Sequence, residues 1–124
     1  MSTAAPRVYI IDEHEPVRHA LAGRLGRTAA VDVVGDTGDA AEAVREADTL
    51  KADVVLVEIK RGDGMGLELV RQLATIREAP KVVVLTSYPS DWEEAAARRA
   101  GAEHYLLKEI DPEELIQHIL ACTA

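Results

Sequence analysis

The 124-residue chain reads as one doubly wound α/β domain: a five-stranded parallel sheet with helices on both faces. Three observations predict this. Five short apolar runs rich in β-branched residues recur along the chain. Stretches with helical spacing follow each of them. Three of the runs are nearly continuous in apolar residues rather than alternating, as in strands covered on both faces. Strands alternating with helices imply βαβ units with right-handed crossovers.

The runs are Arg7–Ile11 (RVYII), Val31–Gly35 (VDVVG), Asp53–Ile59 (DVVLVEI), Lys81–Thr86 (KVVVLT) and His104–Leu107 (HYLL). After the first, Pro16–Leu25 puts Val17, Ala20, Leu21 and Leu25 on one helical face. Pro16 suits a first helical position, and the acids before it suit the positive end of the helix dipole. Asp39–Leu50 carries Ala40, Ala43, Val44, Ala47 and Leu50, and Gly66–Arg77 carries Leu67, Val70, Leu73 and Ala74. Ser90–Ala100 opens with Ser90 and, three residues on, Glu93, the spacing of a capping box. Asp111-Pro112-Glu113-Glu114 is another start signal, followed by the stripe Leu115, Ile116, Ile119 and Leu120.

Composition narrows the function. Lys and Arg number 14 against 22 Asp and Glu, a formal charge of −8. That balance argues against gripping a nucleic-acid backbone or an anionic membrane surface. The single cysteine, Cys122, rules out an internal disulfide framework, in keeping with a reducing, cytoplasmic location. No apolar run approaches the roughly 20 residues needed to cross a bilayer, and the opening MSTAAPRVYII lacks the pattern of a secretory signal. Phenylalanine is absent, so the core must be built from Val, Leu, Ile and Ala.

In an open parallel sheet, ligands bind beyond the carboxyl ends of the strands. The residues there are Asp12-Glu13-His14-Glu15, then Glu58 with the loop Lys60-Arg61-Gly62-Asp63-Gly64, then Thr86-Ser87, and last Lys108. Together they give several carboxylates, hydroxyls and an ammonium. Clustered carboxylates call for a cation, and Mg²⁺ takes hard oxygen ligands. With an ammonium and a hydroxyl nearby, such a site suits a phosphoryl group. Taken singly, each residue also has a plainer reading: Asp12-Glu13 as acids at a helix start, Lys108 as a solvated lysine or a partner of Glu58, and Tyr105 as a half-buried aromatic. A flavodoxin-type small-molecule site is disfavoured, because DEHEP is acidic and no glycine-rich phosphate loop is present. A hydrolase lacks a nucleophile–base pair beyond carboxylates and one hydroxyl.

The segments VYIIDE, VLVEI before a glycine-containing loop, GLELV, VVVLTS and GAEHYLLKEIDPEEL occur in that order over nearly the whole chain. In this the chain resembles the receiver domain of two-component response regulators. It is most similar to receivers of the NarL/FixJ type, which are joined to helix-turn-helix DNA-binding domains. The resemblance implies a flavodoxin-like sheet in the order 2-1-3-4-5 and one receiver domain over residues 1–124. It implies Mg²⁺ on Asp12, Glu13, Glu58 and the Lys60 backbone carbonyl, and phosphoryl or switch roles for Thr86, Ser87, Lys108 and Tyr105. Of these Ser87 reads as permissive, small enough to leave the site open. The implied partners are a histidine kinase or other signalling protein, a second copy of the domain, and a C-terminal output domain that makes the DNA contacts.

The sequence departs from the family at the acceptor position, which holds Glu58 in place of Asp. The loop KRGDGMG also has Gly62 where many receivers carry proline and Met65 where many carry Asp, and no proline follows Lys108. The expectation is an atypical, phosphorylation-independent receiver in which Glu58 partly imitates the phosphorylated state and reaches toward Thr86 or Lys108. The alternative is an ordinary phosphate-accepting receiver that uses Glu58 or Asp63 and regulates an attached DNA-binding domain.

Overall fold

The computed structural model describes residues 4–124. Met1, Ser2 and Thr3, part of the stretch read for a secretory signal, lie outside the described residues. Strands and helices alternate as β1 (Arg7–Ile11), α1 (Glu15–Leu25), β2 (Asp32–Thr37), α2 (Ala40–Thr49), β3 (Val54–Val57), α3 (Gly66–Ala74), β4 (Lys81–Thr86), α4 (Asp91–Ala100), β5 (Ala102–Leu107) and α5 (Pro112–Thr123). The strands form one sheet in the order β2-β1-β3-β4-β5, and every neighbouring pair is parallel.

Period-two alternation along the strands splits the core between two faces. Tyr9, Ile11, Val55, Val57, Val82 and Val84 face α2, α3 and α4, where Ala43, Ala47, Leu69, Leu73 and Ala97 meet them. Val8, Ile10, Val54, Leu56, Val83 and Leu85 face the other way, onto Leu25 of α1 and Leu115 and Ile119 of α5. The core is aliphatic, as the absence of Phe requires. Tyr9 is its one fully buried aromatic, with its hydroxyl satisfied by Glu46.

The edge strands depart from the apolar runs. β2 continues past Gly35 through Asp36 and Thr37, because its backbone keeps pairing with β1 as far as Ile11↔Thr37. β5 starts at Ala102 rather than His104, with a register shift at Val82/Val83 that carries Glu103 past the ladder. The stripe expected on α1 is also thinner than its spacing suggests: Leu25 is buried, whereas Val17 is 44% exposed beside the sheet's carboxyl edge. Helix α3 stops at Ala74, short of Arg77, with Thr75 as its C-cap.

Two glycines are required by packing. A Cβ on Gly66, the first residue of α3, would stand 1.9 Å from the carbonyl oxygen of Ile59. Gly101 links α4 to β5 at φ +124°, and a Cβ there would meet Ala74 Cβ at 2.6 Å. At the opposite end of the sheet from the loops, Cys122 packs partly buried against the α1–α5 face. Its thiol donates weakly to the Ile119 carbonyl at 3.4 Å.

Candidate functional site

Asp12 follows the last residue of β1, Glu58 the last of β3, and Lys108 the last of β5. The parallel ladder sets these three chain exits side by side at the carboxyl edge, where the strand order turns between β1 and β3. Backbone bonds extend the ladder to hold them: Asp12 N–H donates to Thr37 O, Glu58 N–H to Ile11 O and Lys108 N–H to Thr86 O.

The side chains converge. Lys108 Nζ lies 2.7 Å from Asp12 Oδ2 and 3.1 Å from Glu58 Oε1. Asp12 and Glu58 are almost wholly buried. Burial works against the Lys108 ammonium, but hydrogen bonds to Asp12 and Glu58 outweigh it and hold its pKa above the ordinary lysine value. Backbone donors take the remaining oxygens: His14 N–H donates to Asp12 Oδ1 at 2.9 Å, and Lys60 N–H to Glu58 Oε2 at 2.9 Å. The cavity lined jointly by Asp12, Glu58 and Lys108 has a volume of ≈ 40 Å³, far below the few hundred Å³ of a nucleotide- or flavin-sized pocket.

Of the two partners expected for Glu58, Lys108 is the one it reaches. Thr86, fully buried at the end of β4, has its hydroxyl oxygen accept the Tyr88 N–H at 3.2 Å. Ser87 beside it is exposed. Glu13 turns outward and accepts the Gly62 N–H at 2.7 Å. Among the described residues no three acids, histidines or cysteines stand together as a cation site. The acids named for Mg²⁺ are therefore divided, with Asp12 and Glu58 sharing an ammonium and Glu13 tied to the loop after β3. As arranged, they do not fit a three-carboxylate metal site.

Asp63, the alternative acceptor, is exposed and bonded to Arg61 and to the Met65 N–H. The Arg61 hydrogen bond, then that of Met65, holds its pKa below the usual carboxylate value. Arg61 also donates to Gly38 O at 2.7 Å, tying the β3–α3 loop to the start of α2. Tyr88, between β4 and α4, and Trp92, in the first turn of α4, are 74% and 71% exposed.

Sequence reasoning missed part of the arrangement. Arg18 braces the β1 exit by donating to the Asp12 carbonyl and to Asp36 Oδ1. Glu93, read only as half of a capping box, accepts from Lys60 Nζ at 2.8 Å through Oε2 and from the Tyr105 hydroxyl at 2.5 Å through Oε1. Burial, then the bond to Glu93, pushes the Tyr105 phenol up to about 12. The Ser90/Glu93 spacing was visible in the sequence, but the direction of the carboxylate was not.

The family described as response regulator receiver domain matches residues 8–120. The chain is 36% identical over 113 residues to the DNA-binding transcriptional activator DevR/DosR of Mycobacterium tuberculosis, covering 91% of this chain and 52% of that protein. It is 36% identical over 117 residues to the transcriptional regulatory protein LiaR of Bacillus subtilis, covering 94% of this chain and 56% of LiaR. The chain thus spans about half the length of the curated relatives it matches. Among solved structures, a LuxR-family two-component response regulator from Aurantimonas sp. superposes with a TM-score of 0.86 at 28% identity, over 96% of this chain and 85% of that one. The receiver domain of the putative response regulator NarL of Mycobacterium tuberculosis shares the fold, with a TM-score of 0.87 at 23% identity over 96% of both chains. The strand order, the acids, hydroxyl and lysine gathered at the sheet's carboxyl edge, and these matches agree, and the chain belongs to the response regulator receiver domain family, a signalling module of two-component systems.

Proposed function

We propose that this receiver signals without accepting phosphate, with Glu58 standing at the acceptor position and supplying its negative charge permanently. The contact that carries the reading is the 3.1 Å approach of Glu58 Oε1 to Lys108 Nζ, made while Oε2 accepts the Lys60 N–H. Both carboxylate oxygens are engaged, which fixes the carboxylate against Lys108 and the loop after β3. The extra methylene also moves the carboxylate by one C–C bond, about 1.5 Å. A misplacement of about 1 Å costs on the order of a hundredfold in rate. Receiver domains generally bind Mg²⁺ at the phosphorylation site; a cation here would have to take Asp12 and Glu58 away from Lys108.

In this reading the domain works by protein contacts: a histidine kinase or other signalling protein, a second copy of itself, and a helix-turn-helix output domain C-terminal to it. The half-length match to proteins named as transcriptional regulators supports the output domain. The charge of −8 argues against nucleic-acid contact by the receiver itself. Among the described residues no helix is long and apolar enough to cross a membrane.

The test is incubation with acetyl phosphate and Mg²⁺ followed by intact-mass measurement, with Glu58→Asp in parallel. Unmodified native protein beside a phosphorylated Asp variant is the expected result. A stoichiometric phosphoryl group on Glu58 overturns the proposal.

A further inference from the structure

The start of α4 is capped in an unusual way. In a reciprocal capping box the glutamate three residues in would turn back to the N–H of the cap residue. Here Ser90 Oγ does accept the Glu93 N–H at 3.0 Å, but the Ser90 N–H goes instead to the Tyr105 hydroxyl oxygen at 3.1 Å. The Tyr105 hydroxyl in turn donates to Glu93 Oε1, and Glu93 Oε2 accepts from the Lys60 ammonium. The cap of α4 is therefore closed through a residue of β5 and balanced in charge by a residue of the loop after β3. Glu93 sits at the junction, 9% exposed.

Lys60 is the arm that connects this junction to the site. Its backbone N–H is held by Glu58 Oε2, while its side chain reaches Glu93. Removing the acceptor at position 58 frees the Lys60 backbone. The ammonium then loses its aim at Glu93, and Glu93 in turn its grip on Tyr105 and the α4 cap. The route bypasses Thr86, whose hydroxyl oxygen is occupied by the Tyr88 N–H.

The geometry points to Glu93 as a positioning residue through which the group at position 58, by way of Lys60, sets the orientation of the α4 N-terminus and its exposed Tyr88 and Trp92. This deepens the reading of Glu58 as a permanent charge, since it names the route by which that charge is read.

Trp92, the chain's sole tryptophan, immediately precedes Glu93 and reports directly. Its emission and acrylamide quenching would be followed in the full chain, with ¹⁹F-labelled tyrosine assigned through Tyr105→Phe. Glu58→Met, which keeps volume but removes the acceptor, is expected to shift both the Trp92 quenching and the Tyr105 resonance. In Lys60→Met or Glu93→Gln backgrounds that shift should vanish, and Lys60→Arg should restore it. Lys60 is exposed, so its variants test the route without opening the core. Equal shifts in all backgrounds, or no shift in the native background, overturn the assignment. Phosphorylation of Glu58 overturns the permanent-charge reading yet leaves this coupling intact, so the two failures are distinguishable.

Discussion

Lys108 Nζ stands between two buried carboxylates, 2.7 Å from Asp12 and 3.1 Å from Glu58, and is the cation that both oxygens face. Their side chains are only 5% and 6% exposed, so water can do little to replace it. Breaking a buried ion pair by removing one partner costs about 3–5 kcal/mol, because a charge is left uncompensated. Lys108→Met should therefore destabilise the domain by about that amount. Glu58→Gln, which leaves Asp12 with its ammonium, should cost clearly less. Urea unfolding monitored by circular dichroism ranks the two, and equal costs would contradict the shared-cation arrangement.

Glu58→Gln also tests the functional reading. It removes the permanent charge while nearly preserving shape, so self-association measured by analytical ultracentrifugation should shift relative to the native protein. An unchanged association constant would count against Glu58 as a charge that sets the state of the domain.

Gly66 is the tightest approach in the fold. Its missing Cβ would overlap the Ile59 carbonyl at 1.9 Å, and backbone on both sides leaves no flexible atom to give way. Gly66→Ala should cost at least the roughly 1–3 kcal/mol typical of overpacking. Gly62→Ala, four residues earlier, would put its Cβ no closer than 3.6 Å to a Glu13 carboxylate oxygen and should be nearly neutral. Thermal unfolding of the two variants makes the comparison.

His104 on β5 and His118 on α5 stack edge to face with ring centroids 4.9 Å apart. Burial first, then His118 and Arg98, hold the His104 imidazole below its usual 6.5, against a smaller opposing pull from Glu103. A depressed histidine favours the neutral form in the folded state. Its contribution is thus complete above pH 6.5 and is lost as pH falls through the folded value. The urea midpoint should decline below pH 6.5, and His104→Gln should flatten that decline.

Tyr105 carries the opposite sign. Its phenol is raised from 10.0 to about 12, so the stability it adds is intact below pH 10 and lost as pH climbs toward 12. Ultraviolet titration of tyrosinate should show a step near 12 that disappears in Tyr105→Phe and moves to lower pH in Glu93→Gln, while Tyr9, pushed higher still by burial and its bond to Glu46, titrates later. A step near 12 that survives unchanged in Tyr105→Phe would assign it elsewhere.

Much of this was legible in the residue order because burial on both faces leaves a strong trace. β1, β3 and β4 are internal strands, and their apolar runs mark them within a residue or two. The edge strands were cut short, since Asp36 and Thr37 of β2 are polar residues that belong to the sheet by backbone pairing, and Glu103 of β5 sits unpaired at the register shift that separates Ala102 from the rest of its strand. At the site, Asp12, Glu58 and Lys108 were legible because each simply follows a strand. The outward turn of Glu13 and the engagement of Glu93 by β5 depend on contacts between distant elements, which local spacing does not encode.

The partly buried sulfur of Cys122 has a practical consequence. Burial holds its thiol above the ordinary pKa, so little thiolate is present near neutrality. Alkylation of the native protein should consequently be slow and gated by local opening of α5. The reaction rate becomes a clock for that opening, at the far end of the sheet from the charged loops.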